Sequence, residues 1–419
     1  MNKTSPQSIR TDSRAIGKSY IDGIPNFTPL SWYAFALYTC QIYHVLRWIR
    51  VRSMKDIREV IPSHLLVRNT CRGLSVLGRD ILVACSIFLC TLHIGRYLDT
   101  LVASTTMGLA LLYSFRALLW CTYWILQGFA LTGIWVIGHE CGHGAFSAHG
   151  WLCDILGYAC HTFLLTPYFS WKISHHRHHM KHASIEYDEP YIPKTRSDLG
   201  IPAEDEDEID YEDYFGDTPI YTLFMLIRQQ ILAFPAYLVS NVSGQARYPK
   251  WTNHYNPDSV LFTREQRSAV LMSNLGILFM GFTLKWGCSR WGTSTVVQYY
   301  AMPWICVNHW FVMITYLQHT DPALPHYRSG QWNFQRGAAA TMDREFLGFI
   351  GHFFLHDVAH FHVIHHFFPK MPFYHAQEAT HHLQRLLGEH YHRSRKPVFQ
   401  ALWDNYNNCQ FVEDKGQSC

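Results

Sequence analysis

Twenty-seven of the 419 residues are histidine, and most of the chemistry they offer lies in three short clusters and one satellite. The clusters are His139-Glu140-Cys141-Gly142-His143, His175-His176-Arg177-His178-His179 and His362-Val363-Ile364-His365-His366; the satellite is His319, in Leu317-Gln318-His319-Thr320-Asp321-Pro322. Residues three and four apart share one face of a helix, so each cluster aims two or three imidazoles at one point. His139, His143, His175, His178, His179, His362, His365 and His366, with His319, make nine donors, enough for two metal ions with positions left open. Neutral imidazole suits iron, zinc, copper and nickel. A nearly all-nitrogen site with open positions points to two non-haem iron ions handling O2 rather than to a structural ion.

Any single histidine here could be an interfacial polar group, but three clusters on one predicted face cannot all be. His176, His182, His352, His356, His360, His375, His381 and His382 are expected outside the ligand set. Of these, His356 and His360 stand at helical spacing from the third cluster and, with Asp357 and Glu140, are the candidates to orient the ligands from behind. One rival comes from the first cluster read alone. His139-Glu140-Cys141-Gly142-His143 is an HExxH, in which two histidines bind zinc and the glutamate is the general base of a protease. That reading leaves the other clusters and His319 without work, and Gly142 weakens the helix it needs. A metal-binding membrane protein without catalysis is a further alternative.

The elements that position these residues are apolar. Hydrophobic residues make up 48% of the chain and charged ones only 16%, with long uncharged stretches between polar ones, the pattern of a polytopic membrane protein. Four runs are predicted to span: 81–95 continuing to about 113, broken by Arg96 and Asp99; 117–138, without a charge; and 268–284 with 296–318, a second hairpin around Lys285 and Arg290. The fold class is therefore all-α and integral to the membrane, with two helical hairpins. Residues 31–46, 152–169 and 223–242 are placed at the interface, the last broken by Arg228, Pro235 and Ser240. Residues 204–213, EDEDEIDYED, read as a solvated loop. Arg47, Arg50 and Arg52 open a basic segment running to Arg79, which the positive-inside rule puts in the cytosol. With that topology all four histidine positions fall at the cytosolic surface. The net charge of +3 gives no bulk attraction to nucleic acid, and 12 cysteines without a CxxC pair suggest neither a disulfide framework nor a thiolate zinc site.

At these residues the chain resembles the membrane-bound fatty acid desaturases, specifically the Δ12 (omega-6) oleate desaturases of fungi and plants. The resemblance covers residues 53–413, between a tail at 1–52 and a short one at 414–419. It rests on the three boxes and on flanks such as Trp171-Lys172-Ile173-Ser174, His254-Tyr255-Asn256-Pro257, Thr315-Tyr316-Leu317-Gln318-His319 and Met371-Pro372-Phe373-Tyr374-His375-Ala376. It implies four membrane helices under a cytosolic cap, the nine histidines as ligands of two iron ions, O2 as co-substrate and a fatty acyl lipid or acyl-CoA as substrate. It also implies electrons from NADH through cytochrome b5 and its reductase, as separate chains, and residence in the endoplasmic reticulum membrane. The chemistry agrees, because an unactivated C–H bond has no acidic proton for acid–base catalysis to remove. Two positions depart from the group's pattern. Phe361 stands where threonine is usual, after His360 instead of an acidic residue, and Gly138 where alanine is common. Both adjoin ligands, which makes them the candidates to decide between desaturation and the acetylenase, hydroxylase or conjugase chemistry of diverged relatives.

Overall fold

The computed structural model describes residues 53–104, 108–202 and 218–415, so the stretches 31–46 and 204–213 lie outside the described residues. Helix α1 (Thr70–Ser104) is 35 residues long, about 52 Å, more than the ~30 Å of a bilayer's hydrocarbon. Its buried positions, Gly73, Leu77, Asp80, Ala84 and Thr91, recur at helical intervals and form one stripe. Leu82, Leu89 and Ile94 point outward, an apolar exposure that lipid would cover. The stripe packs on α2 (Leu109–His143), whose second half, from Gln127 to Cys141, is buried on every side. The far ends of the two helices meet where Thr70 Oγ1 lies 2.7 Å from Ser147 Oγ, so the pair is antiparallel.

The division between α1 and α2 differs from the expected one. The run expected to continue to 113 ends at Ser104, and residues 109–116 open the second helix. Asp99 and Arg116, the charges beside that break, pair at 2.9 Å across the turn. Gly144, at φ 67°, stops α2 immediately after the first box; its N–H bonds Cys141 O, and Ala145 N–H bonds Glu140 O at 2.9 Å.

Two short helices follow, α3 (Gly150–Phe163) and α4 (Tyr168–Lys181). The hydroxyl of Ser273 receives the N–H groups of Phe169 and Ser170, capping α4 from another helix. Helix α5 (Pro219–Ser240), α6 (Arg267–Trp291) and α7 (Met302–His319) complete the bundle; a π-helical turn at Val297–Ala301 leads into α7.

By length and composition four described helices can cross a membrane: Thr70–Leu101, Ala110–His143, Pro219–Ser240 and Arg264–Trp291. Their number is the expected one, but the set is not. Residues 223–240 of the stretch expected at the interface fall in a continuous 22-residue helix through Pro235, with Ile220, Phe224, Leu232 and Val239 exposed along it. The run 296–318 is helical yet less apolar, because α7 is enclosed by protein and carries buried Asn308, Gln318 and His319.

C-terminal segments pack on α2, α4 and α7. A two-residue strand β1 (Asp343–Arg344) pairs in parallel with β2 (Arg393–Ser394). The third box forms a short helix, α8 (His362–Phe367). Its Val363, Ile364 and Phe367 pack on Ala379, Leu383 and Leu387 of the amphipathic α9 (Ala376–Leu387).

Candidate metal centre

Each box arrives on a different element. His139 and His143 lie one turn apart at the end of α2, His319 is the last residue of α7, and α4 presents His175 and His179 on one side and His178 on another. The carbonyl ends of α2 and α7 therefore face the site, a placement that favours cations. His362, His365 and His366 are carried by α8.

The nine histidines divide into two poles. His139, His143, His175, His179 and His365 offer one ligand atom each within 4.8 Å of one another. Their Nε2 atoms lie 3.2 Å apart for His139 and His143, 3.0 Å for His143 and His175, and 3.2 Å for His175 and His179. The second pole centres on His319, whose Nε2 is 3.4 Å from that of His178 and 3.1 Å from that of His362, with His366 in the same group. Stacking of His179 on His366, centroids 4.2 Å apart, joins the two.

These separations identify what the site fits. Two nitrogens bonded at about 2.1 Å to one metal, at 90–109°, lie about 3.0–3.4 Å apart. Facing lone pairs repel without a cation between them. Several box nitrogens also lack any hydrogen-bond partner, among them His365 Nε2 and both nitrogens of His366. Burial, with the charges of neighbouring imidazoles, pushes His175, His179 and His366 well below the ordinary histidine range and His365 down to about 3, so these rings stay neutral and ready to bind.

One orienting residue, Asp188, is not among those the sequence singled out. Asp188 Oδ1 accepts from His178 Nδ1 at 2.8 Å, which leaves His178 Nε2 to face His319. Its other oxygen faces His182 Nδ1 at 3.2 Å and accepts the Ala183 N–H at 3.0 Å. Burial alone would raise the Asp188 carboxyl, but the charges and hydrogen bonds of His178 and His182 outweigh it and hold it well below the usual range. His182 lies within ligand distance of His178 and His319, yet both its nitrogens are engaged, Nε2 by Ala340 O at 2.9 Å. It supports the site rather than completing it. Asp188 sits in the loop after α4, at no periodic spacing from the box.

The expected orienting residues fall as follows. Glu140 Oε1 lies 3.2 Å from His139 Nδ1. His356 faces α1, with Nε2 2.7 Å from Asp80 and Nδ1 3.3 Å from Arg79. His360 stacks on His352 at 3.9 Å and accepts the Phe346 N–H, while Asp357 faces His352. Among the described residues, none of His356, His360 and Asp357 hydrogen-bonds a box histidine. Glu345, His352 and His360 form another group at ligand spacing, but Arg393 already holds Glu345 at 2.5 Å and Asp357 already faces His352. Phe361 lines a small cavity with Glu140, His356 and His365, and Gly138 abuts His161.

The fatty acid desaturase family model matches residues 117–397. A Delta(12) fatty acid desaturase of Mortierella isabellina is 42% identical over 370 residues, 87% of this chain and 89% of the relative. A Delta(12)-oleate desaturase of Trichosanthes kirilowii is 40% identical over 362 residues, 86% of this chain and 91% of its own. An oleate hydroxylase of Claviceps purpurea is 37% identical over 384 residues, covering 86% and 77%.

Proposed function

This chain belongs to the fatty acid desaturase family, and we propose that it introduces a Δ12-type double bond into an oleoyl-like acyl chain at a di-iron centre held by its nine box histidines. The observation that carries this is that five of those histidines form one group and that His178, His362 and His366 gather around His319 in two overlapping triplets, with nitrogens at the separations of donors on one ion. Two iron ions bound there would supply the one chemistry able to attack an unactivated C–H bond, reduction of O2 to a strong oxidant. Overall, O2 takes up the two hydrogens removed from adjacent carbons together with two electrons from the donor and two protons, and leaves as two waters.

The protein's own residues do the rest. Asp188 fixes the tautomer of His178, and Glu140 faces the Nδ1 of His139. Trp135 and Trp171, packed edge to face beside His139 and His175, keep water from one flank of the site. Electrons come from a separate cytochrome b5 and its NADH-dependent reductase. The enzyme resides in the endoplasmic reticulum membrane, with the histidine boxes and both termini cytosolic and the C-terminal cap over the helix ends. The acyl chain is carried on phospholipid or CoA. Support for this arrangement is the basic segment before α1 and the convergence of the four histidine positions at one end of the bundle.

The test is the fatty-acid profile of yeast expressing the chain and fed oleate or, separately, linoleate. A new diene from oleate supports the Δ12 reading. A hydroxylated or triple-bonded product would favour the second reading, a diverged hydroxylase or acetylenase, which the similarity to the Claviceps hydroxylase keeps in view.

A further inference from the structure

The end of α7 and the start of α8 each carry a histidine of the four-histidine pole, and residues 342–346 run between them. Toward α7, Met342 N–H donates to Gln318 O at 3.1 Å. Arg344 Nε donates to Leu317 O at 2.6 Å, and its Nη2 to the Asp321 carboxylate at 2.7 Å. Toward α8, Asp343 Oδ1 accepts the Val363 N–H at 2.8 Å, and Arg344 N–H donates to Ala359 O at 3.0 Å. Asp343 and Arg344 are 0% and 2% exposed. Two adjacent buried polar side chains thus reach in opposite directions, the guanidinium to the carbonyl end of one helix and the carboxyl group to the N–H end of another.

The carboxyl group has a specific gap to fill. The N-cap of α8 is Phe361, which makes no side-chain cap bond. Asp343 reaches the second N–H of α8 from a separate strand, and that strand is anchored by pairing of Asp343 with Arg393 and by the Tyr391 hydroxyl on its other oxygen.

We propose that Asp343 and Arg344 are positioning residues that set the separation of His319 from His362, and so maintain the four-histidine pole. The inference rests on the two-pole reading of the metal centre. It also accounts for a chain that tolerates phenylalanine at the N-cap of its third box: the cap is supplied from β1 instead.

The test is iron per chain in the full-length protein in lipid nanodiscs, loaded with Fe2+ under argon and desalted. Wild type is expected to hold about two irons, Asp343→Ala about one, and Asp343→Asn, which keeps an acceptor oxygen, nearly two. Adding Phe361→Thr to Asp343→Ala gives α8 its own cap and should restore most of the lost iron. Arg344→Lys, which keeps the charge but loses the fork, should release the same iron and carries the comparison alone if Asp343→Ala does not fold. A merely structural role would release both irons together or leave Phe361→Thr without effect, and either result overturns the proposal. So would two irons in both Asp343→Ala and Arg344→Lys, while a wild type with fewer than two irons would refute the two-pole reading beneath it.

Discussion

Gly138 lies so close to His161 that a Cβ built on it would stand 2.3 Å from Cδ2 of that ring. His161 cannot easily yield: Nε2 bonds Trp135 O at 3.1 Å, and the ring stacks on Trp135 with centroids 4.8 Å apart. Trp135 in turn stacks on His139. Glycine before the first box is therefore a packing requirement of this chain.

Gly138→Ala should accordingly destabilise the protein by about 1–3 kcal/mol, the usual cost of overpacking a full core. Thermal unfolding in detergent measures it. His161→Ala in the same chain should relieve most of the loss, and a Gly138→Ala protein melting with wild type would show that the close approach does not hold.

Asp188→Ala should weaken metal binding by about 10–100-fold, because His178 loses the carboxylate that fixes its tautomer and His182 its partner. Titration of the metal-free protein with Co2+, followed by its visible absorption, gives the affinity. An unchanged affinity would remove Asp188 from the site.

His365→Ala and His319→Ala touch different poles. Each should abolish desaturation in yeast while the protein still inserts into the membrane, and each should reduce iron to about one per chain. Turnover retained in either variant would refute the ligand assignment.

The metal-free protein should lose stability as pH falls from about 6.5 toward 3. The buried rings of His175, His179, His365 and His366 have folded pKa values below their unfolded ones, so unfolding takes up protons in that window. Each such ring contributes a slope of up to about 1.4 kcal/mol per pH unit. The contribution is fully present above the unfolded value. Denaturation of chelator-treated protein at pH 7.5 and 5.5 checks the sign, and equal stability at the two would contradict neutral burial of the rings.

Much of this protein was legible in the sequence because its signals are local. Uncharged stretches, the i, i+3 and i+4 spacing of the boxes and His319 at a helix end all depend on short-range geometry, and they indicated an all-α membrane protein with nine clustered histidines. Tertiary structure decided what depends on partners distant in the chain. Pro219–Ser240 rather than 296–318 has the apolar length of a span, because α7 is surrounded by protein and can carry polar side chains there. His356 and His360, at helical spacing from the third box, turned to α1 and to His352, because the chain bends through two left-handed residues, His356 and Asp357, before α8 begins. Asp188, Asp343 and Arg344, which hold the histidines, lie on a loop and a two-residue strand. Their contacts span from 10 to 27 residues of sequence and follow no period, so only the folded chain brings them to the histidines they position.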